Sequence, residues 1–416
     1  MRRSTLLRLT TGLAALMAGA LLLAPASIGQ QQSTPPVARY TMDAGTVSGM
    51  AAMGQGMGGA MSMMFGGGGN KAIHELTLRL GSSRTPTGGA PKADHFMPPE
   101  AKLGKSVALL SPTPAAASTP EPATPTPFER PRGRLLIYWG CGANAPKNQP
   151  VVIDFAKVAA GQIPPGLYAQ AASFPADWRV SPGNSKTYGD WPNAKDGKTI
   201  KSESSLIGAH RIVANYAPEI GFSLTQDFMP AITGSSSPLP NGAVALSWNA
   251  INAATGYYAW VFSANPGADG KALDMVWWAS SATQAFGGPL WDWLPPSTVQ
   301  KLIAQKVVMP PSQTSCTVPA EVKKAGGQIM MGSLYAYGPE ANFAFPPRPA
   351  DPKATWKPEW TTRVRYRANT MWMIGGPNMG AMMRGEQTQN QEERPKPKKC
   401  KGGFGGLLAG AAGLGC

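Results

Sequence analysis

The side chains that most often carry out catalysis or bind metals are scarce in this sequence. Its 416 residues include three histidines, and none of them has a partner at the HxH, HExxH or HxxxH spacing of a metal site. The chain also lacks the GxSxG, P-loop and GxGxxG motifs. Four aspartates are candidates for paired carboxylates, although loop aspartates of this kind occur in any β protein: Asp154, Asp177, Asp190 and Asp227. The sequence therefore predicts a protein that is not an enzyme, with no catalytic residue and no cofactor.

The four cysteines exclude two common kinds of site. Cys141, Cys316, Cys400 and Cys416 show no CxxC spacing, so neither a zinc knuckle nor a thioredoxin-type motif is present. Four cysteines allow three pairings. The sequence leaves the pairing open, and it leaves open whether Cys141 and Cys316 are bonded or are separate buried thiols.

A methionine-rich segment is the one candidate for metal binding. Six of the 20 methionines lie between Met50 and Met64, and a thioether sulfur is a soft ligand that suits Cu(I). The candidate ligands are Met57, Met61, Met63 and Met64. The same segment is rich in glycine, with ten glycines between Gly45 and Gly69, and has little branched apolar surface to offset the entropy of ordering. We therefore predict a disordered arm over residues 27–70 and no bound metal.

Aromatic residues are the strongest candidates for ligand binding. Four tryptophans lie within 17 residues, beside a Gly-Gly-Pro turn: Trp277, Trp278, Trp291 and Trp293. Exposed tryptophans stack on the rings of glycans or anchor a protein partner. The alternative is that these rings pack in the core of a large β-domain.

Positive charge is concentrated near the C-terminus. Lys and Arg outnumber Asp and Glu by 38 to 23, a formal net charge of +15, and residues 348–416 alone hold 12 basic and five acidic residues, or +7. In residues 361–366 arginines alternate with apolar residues, so a strand there is expected to expose a row of guanidinium groups to water. The candidates for binding an anionic surface are Arg363, Arg365, Arg367, Lys396, Lys398, Lys399 and Lys401. The alternative is a solvated, disordered end.

The elements that must hold these residues follow a predicted signal peptide. Arg2, Arg3 and Arg8 precede a short apolar run at residues 12–24, and small residues follow up to Ala26. The run is shorter than the roughly 20 residues that span a bilayer as a helix. We expect cleavage near Ala26 and an exported protein, in the periplasm, the outer envelope or outside the cell, with a retained anchor as the alternative.

Short apolar runs separated by Gly and Pro predict a mainly β fold. Seven prolines within residues 111–131 indicate a stiff insertion or linker, and residues 151–160 begin as a strand and end as a short helical turn. Other strands are expected at residues 73–80, 106–110, 134–139, 205–214, 220–224, 243–248 and 361–366. Short strands of this kind favour a sandwich or barrel over a parallel α/β fold.

Residues 243–261 carry a resemblance to a known family. Trp248 ends an alternating strand, and Tyr257 lies on the next one. This pattern resembles the LSW…Y…V stretch of fibronectin type III domains, in which the two rings pack across the core, and residues 315–319 and 332–338 are similar to that family's later strands. The resemblance implies a β-sandwich module over about residues 239–347 that is used for adhesion or spacing more than for chemistry. The tryptophan-rich insertion is not part of the family's pattern.

These patterns together predict a mainly β protein with two β-sandwich-like domains and disordered low-complexity arms. Its expected parts are a signal peptide at 1–26, a Gly/Met-rich arm at 27–70, an N-terminal β-domain at 71–230 with the Pro-rich insertion 111–131, a fibronectin type III-like domain at 231–347, and a basic tail at 348–416 with a Gly-rich apolar end. The sequence does not identify a ligand, a partner or an oligomeric state.

The leading hypothesis for function is an exported, non-enzymatic cell-envelope protein that binds or scaffolds other components. Envelope proteins, glycans and an anionic membrane surface are the partners considered. The alternatives are an envelope hydrolase with a scattered site and a copper-binding protein that uses the methionine-rich arm. Nucleic acid is not expected as a partner, because the excess charge lies mainly in the tail and exported proteins seldom meet nucleic acid.

Overall fold

The computed structural model describes residues 34–53, 72–112, 133–160, 162, 179–266, 273–285, 287–327, 329–351 and 353–375. The predicted signal peptide, most of the Pro-rich insertion, the candidate copper ligands and the C-terminal lysines lie outside these residues. The fold is mainly β, with 44% strand against 12% helix, as the sequence predicts. No helix among the described residues is long and apolar enough to span a membrane.

A nine-stranded mixed sheet forms the centre of the structure. Its strand order is β6-β5-β13-β12-β15-β16-β1-β2-β7. Neighbouring strands are antiparallel except for the parallel pairs β1–β16 and β5–β13. The strands are β1 (Ala38–Gly49), β2 (Ile73–Ser82), β5 (Gly133–Trp139), β6 (Val151–Asp154), β7 (Thr187–Trp191), β12 (Gly256–Pro266), β13 (Leu273–Ala279), β15 (Met330–Phe345) and β16 (Trp360–Ile374).

Two smaller antiparallel sheets and four short helices complete the described fold. The four-stranded sheet has the order β4-β3-β8-β9, with β3 (Ala93–Phe96), β4 (Val107–Ala108), β8 (Gly208–Ala214) and β9 (Ile220–Leu224). The three-stranded sheet has the order β10-β11-β14, with β10 (Gly234–Pro238), β11 (Val244–Trp248) and β14 (Ser315–Val318). The helices are α1 (Met50–Met53), α2 (Phe155–Ala159), α3 (Pro296–Ala304) and α4 (Ala320–Gly326).

One hydrophobic cluster contains residues from all three sheets. On β2 the predicted alternation is confirmed, because Leu76, Leu78 and Leu80 are buried together in this cluster. They lie with Ile212 of the four-stranded sheet and Leu246 of the three-stranded sheet. The smaller sheets therefore share a core with the large one.

The predicted domain boundary at residue 230 does not separate the sheets. The nine-stranded sheet takes β2, β5, β6 and β7 from the first predicted domain and β12, β13 and β15 from the second. Its two remaining strands, β1 and β16, come from segments that the sequence assigned to the arm and the tail. Strand pairing between distant segments, which no local pattern encodes, is the reason for the difference.

Strand β1 corrects the prediction that residues 27–70 form a disordered arm. Residues 38–49 lie between β2 and β16, paired on both sides, and Tyr40 and Met42 are fully buried. The glycine at position 45 has a packing role here. A Cβ at Gly45 would lie 2.4 Å from the Glu75 side chain, so the glycine leaves open the space that this side chain occupies.

The disulfide question that the sequence left open is resolved for one pair. Cys141 and Cys316 are bonded, with their Cα atoms 5.3 Å apart. Cys141 follows β5 of the nine-stranded sheet, whereas Cys316 lies in β14 of the three-stranded sheet. The bond therefore ties these two sheets together.

Candidate functional site

A cleft of about 890 Å³ opens beside the hairpin that joins β15 to β16, and we call it the hairpin cleft. Both strands and the loop between them contribute to its wall, as do the start of β1 and Gly221 of β9. Its larger side chains are aromatic or cationic: Phe343, Trp356, Trp360, Arg39 and Arg348. Asn342 and Thr361 add polar groups.

The hairpin loop is held in place by backbone and side-chain hydrogen bonds. The amide of Glu359 donates to the carbonyl of Phe345 at 2.7 Å, and the amide of Ala38 donates to the carbonyl of Glu359 at 3.0 Å. The indole Nε1 of Trp356 donates to the carbonyl of Pro346 at 3.0 Å. The guanidinium of Arg348 lies 5.5 Å from the centre of the Trp356 ring. Ring and cation are thus positioned before any ligand arrives.

A second cleft of about 440 Å³ shares Pro36 and Arg39 with the first, and we call it the adjoining cleft. Serine hydroxyls and two further cations, Arg179 and Lys186, line it. Arg39 lies between the clefts because it pairs with Thr361 of β16 on one side and with Gly81 of β2 on the other. A Cβ at Gly81 would meet the Ser185 hydroxyl at 2.2 Å, so this glycine allows the segment after residue 179 to close over the strand.

The lining of both clefts is rich in positive charge. Four cations line the two clefts, namely Arg39, Arg179, Lys186 and Arg348, and no Asp, Glu, His or Cys does. The guanidinium of Arg179 is already paired with Asp292. The Thr362 hydroxyl on the wall of the hairpin cleft has no hydrogen-bond partner among the described residues.

The prediction that Arg363, Arg365 and Arg367 expose a row of charges to water is wrong. They do share one face of β16, but Arg363 is 4% and Arg365 2% exposed. β16 lies inside the sheet between β15 and β1, and side chains of β1 and β2 together with a covering loop enclose Arg365 and Arg367. They are therefore not available as an anionic-surface site.

Acidic residues on β1 and β2 pair with two of these arginines. Arg365 forms a two-pronged contact with Asp43, at 2.8 Å from Nε and 3.1 Å from Nη2, and Arg79 reaches the same carboxylate at 2.8 Å. Arg367 pairs with Glu75 at 2.8 Å. The loop that follows the short 3₁₀ helix Gly288–Trp291 covers this face of β16, because Arg365 Nη1 donates to the carbonyl of Trp293 at 2.8 Å.

The four candidate tryptophans have different environments. Trp278 is fully buried, and its Nε1 donates to the carbonyl of Gly140 at 2.9 Å, so it is a core residue and no longer a binding candidate. Trp277 and Trp291 are half-buried and form an aromatic cluster with Trp260, with ring centres 5.0 to 6.1 Å apart. Trp293 lies under Arg367, 4.3 Å from its guanidinium. None of these rings lines either cleft.

The histidines have structural contacts. His74 stacks on Phe228 at 3.9 Å between ring centres, on the opposite face of β2 from Glu75. His95 and His210 lie in a buried chain of hydrogen bonds that starts at Tyr40 and is 2.7 Å and 3.0 Å long at its first two steps. Burial lowers the pKa of His210, and burial together with the neighbouring His210 lowers that of His95 further below its ordinary value.

The candidate carboxylates also serve the fold. Asp154 caps α2 by accepting from the amides of Ala156 and Lys157. Asp227 accepts from the amides of Leu206 and Phe228 at 3.0 and 2.8 Å. The Tyr188 hydroxyl donates to Asp190 at 3.1 Å, and burial, with a smaller effect of this carboxylate, raises the pKa of Tyr188. Asp177 lies outside the described residues.

The possible metal ligands are not assembled within the described part of the chain. No group of three or more His, Cys, Asp or Glu side chains is placed there to hold a metal ion. The candidate copper ligands Met57, Met61, Met63 and Met64 and the basic candidates Lys396, Lys398, Lys399 and Lys401 lie outside the described residues, so both predictions stay predictions.

The chain matches no protein-family model, no curated protein and no solved structure in comparisons with known proteins. The geometry of the clefts is therefore the basis for assigning a function.

Sequence reasoning missed the aromatic and cationic residues of the hairpin cleft. Residues 346–358 contain five prolines and lie between two strands, and Trp360 stands two residues after the last of these prolines. A rigid loop that carries Arg348 and Trp356 between strands is a signal of an exposed binding loop. The rest of the cleft wall comes from β1 and β9, which are distant from this loop in the sequence, so no local pattern links them to it.

Proposed function

We propose that this chain is an exported, non-enzymatic binding protein of the cell envelope and that the hairpin cleft is its ligand site. The observation that carries the proposal is the composition of that cleft. Its lining combines two tryptophans, a phenylalanine and two arginines, and it includes no carboxylate, imidazole or thiol. Concave sites with aromatic walls and a few polar groups are typical of ligand binding.

Export is supported by two features. The N-terminal charges, apolar run and small residues have the order of a secretory signal. The Cys141–Cys316 bond is of a kind that persists in oxidising compartments. The hydrolase alternative receives no comparable support, because neither described cleft is lined by a pair of carboxylates.

The finer architecture, with sandwich-like packing and a fibronectin type III-like module, is also proposed. Its support is the contact between Trp248 of the three-stranded sheet and Tyr257 of the nine-stranded sheet, whose rings lie 5.6 Å apart. Both rings are buried. The family resemblance implies this type of contact across the core.

The test uses the mature chain and a set of envelope-type polymers, namely dextran, soluble cellulose oligomers, peptidoglycan fragments and polygalacturonate, in affinity electrophoresis. Gly221→Tyr is expected to block the cleft, because no atom lies within 4 Å of a Cβ at this position on its wall. Trp356→Ala is expected to remove a ring surface from the cleft. Gly197→Tyr is the matched control, since its Cβ is equally unobstructed and the residue lines neither cleft.

Retardation by at least one polymer, lost in both cleft variants and kept in Gly197→Tyr, supports the proposal. Absence of binding to every polymer, or binding that both cleft variants retain, contradicts it. A far-UV circular dichroism spectrum and a thermal midpoint for each variant separate loss of binding from loss of fold.

A further inference from the structure

The hairpin cleft and the adjoining cleft meet at Pro36 and Arg39, which line both, and we call the two clefts together the track. Thr361, Arg39 and Gly81 are register neighbours on β16, β1 and β2, so they lie side by side on the same face of the sheet. Thr361 lines the first cleft, Gly81 lines the second, and Arg39 lines both. Two strand spacings separate the outer residues, a distance of about 10 Å. A ligand that occupies both clefts must therefore be an extended chain.

The cations along this track are spaced apart. Arg348 lies on the hairpin, Arg39 between the clefts and Lys186 on the far wall. Arg179 is the fourth cation, and it pairs with Asp292. Spaced cations match a polymer with one negative charge on each repeating unit.

The hairpin cleft adds a flat ring and a forked cation at the same place. The Trp356 ring is fixed by its bond to the carbonyl of Pro346, and the Arg348 guanidinium lies over it. Aromatic faces pack against sugar rings, and a guanidinium binds a carboxylate through two parallel hydrogen bonds. These two groups together suit a sugar ring that carries a carboxylate.

We propose that one chain of an acidic polysaccharide, built of uronic acid units, lies along this track. One sugar ring packs against Trp356 with its carboxylate on Arg348, and later carboxylates meet Arg39 and Lys186. This assignment of ligand class rests on the proposed binding function of the hairpin cleft.

Two other polyanions are the competing ligands. Single-stranded nucleic acid also stacks on aromatic rings in positive grooves, but an exported protein is seldom exposed to it. Anionic lipid headgroups bind to exposed basic surfaces, whereas the cations here line clefts. Both become outcomes of the test.

The test is isothermal titration calorimetry of the mature chain with polygalacturonate and with its fully methyl-esterified form. The two polymers have the same rings, and the ester lacks the charges. We expect the acid form to bind at least tenfold more tightly, with an affinity that falls as salt is raised. Single-stranded oligothymidylate and phosphatidylglycerol vesicles are titrated in parallel.

Three variants locate the binding. Arg348→Gln and Lys186→Gln, one in each cleft, are each expected to weaken binding of the acid polymer about three- to tenfold and to leave binding of the ester unchanged. Lys324→Gln is the matched control, because this exposed lysine of α4 lines neither cleft. All three residues are exposed, so the folded state is expected to persist.

Equal affinity for acid and ester, or an unchanged affinity in Lys186→Gln, overturns the acidic-chain proposal. Tighter binding of oligothymidylate or of vesicles, reduced by the same variants, overturns it as well. Binding of neutral polymers that Gly221→Tyr abolishes leaves the proposed binding function intact while refuting the ligand class. The two proposals therefore fail in different ways.

Discussion

Asp43 shows how a single buried carboxylate organises one face of the sheet. Its side chain is 1% exposed and receives hydrogen bonds from Arg365 and Arg79 on the two flanking strands. A buried charge without a partner costs several kcal/mol, so these three residues depend on one another. The arginines of β16 therefore stabilise the fold instead of presenting charge to a partner.

We expect Arg365→Met to destabilise the protein by about 3 kcal/mol, because it leaves Asp43 buried with Arg79 as its remaining partner. Arg211→Met is the control, since Arg211 pairs with Glu219 at an exposed site, and a far smaller loss is expected. Urea denaturation measures both free energies of unfolding. Similar losses in the two variants would show that Asp43 does not need this partner.

The hydrogen-bond chain from Tyr40 to Leu206 fixes the protonation of two histidines. The carbonyl of Leu206 can only accept, so His210 carries its proton on Nε2 and accepts from His95 at Nδ1. His95 then accepts from the Tyr40 hydroxyl at its own Nδ1. Every ring nitrogen is satisfied when both imidazoles are neutral, whereas an added proton would place an N–H on the His95 nitrogen that now accepts, so the Tyr40 hydroxyl would lose its acceptor.

The free energy of unfolding is therefore expected to decrease as the pH is lowered below about 6.5. The folded-state pKa values of His95 and His210 are lowered, so the unfolded chain binds protons first and is favoured in acid. Each histidine that stays neutral in the folded protein lowers the free energy of unfolding by about 1 kcal/mol between pH 6.5 and 5.5. Urea denaturation at pH 7.5, 6.5 and 5.5 measures the slope, which should be smaller in His210→Phe. An equal slope in that variant would assign the acid sensitivity to other groups.

At the scale of elements, the three-stranded sheet is held to the large sheet by a few large contacts. Trp248 ends β11 and packs on Tyr257 of β12, and the Tyr257 hydroxyl accepts from the amide of Ile251 in the connecting turn at 2.9 Å. The Cys141–Cys316 bond provides a covalent link between the same sheets. Aromatic packing and the disulfide bond thus hold the same two sheets together.

Trp248→Ala is expected to cost about 3–5 kcal/mol, as a large-to-small change at a buried position. Val152→Ala on β6 is the control, because Val152 is 42% exposed and its truncation should have little effect. The measurement is the midpoint of denaturant unfolding with the slope held common. A loss below about 1 kcal/mol for Trp248→Ala would mean that the two sheets do not depend on this ring.

At the scale of the whole molecule, distant parts of the chain pair with each other inside the large sheet. β1 and β16 pair in parallel over twelve register positions although more than 300 residues separate them. β16 also pairs with β15 along most of its length. Any change that removes β16 exposes the hydrogen-bonding edges of two long strands, β1 and β15, at once.

A chain truncated after Pro347 is expected to lose cooperative thermal unfolding, because β1 and β15 would both lack their central neighbour. A chain that ends at Gly375 retains β16 and is expected to keep a cooperative transition. Circular dichroism during heating distinguishes the two. A sharp transition in the shorter chain would show that β16 is dispensable.

The sequence by itself determined which local segments become strands. Period-two patterns located β2 and β11 closely, short runs of strand-forming residues located β5 and β9, and alternation also placed Arg363, Arg365 and Arg367 on one face of β16. β1 also alternates, with Tyr40 and Met42 on the face that packs in the main hydrophobic cluster, but its glycines and the methionine-rich residues that follow suggested a disordered arm. Alternation is a property of a few consecutive residues, so it is readable from the chain alone.

Only the tertiary structure decided what covers each face and where clefts form. Whether a row of arginines meets water or carboxylates depends on Asp43 and Glu75, which come from strands about 300 residues away. The hairpin cleft likewise combines Arg39, Gly221 and Trp356 from three distant segments. Burial and concavity arise from contacts between segments, and a single sequence contains no local record of those contacts.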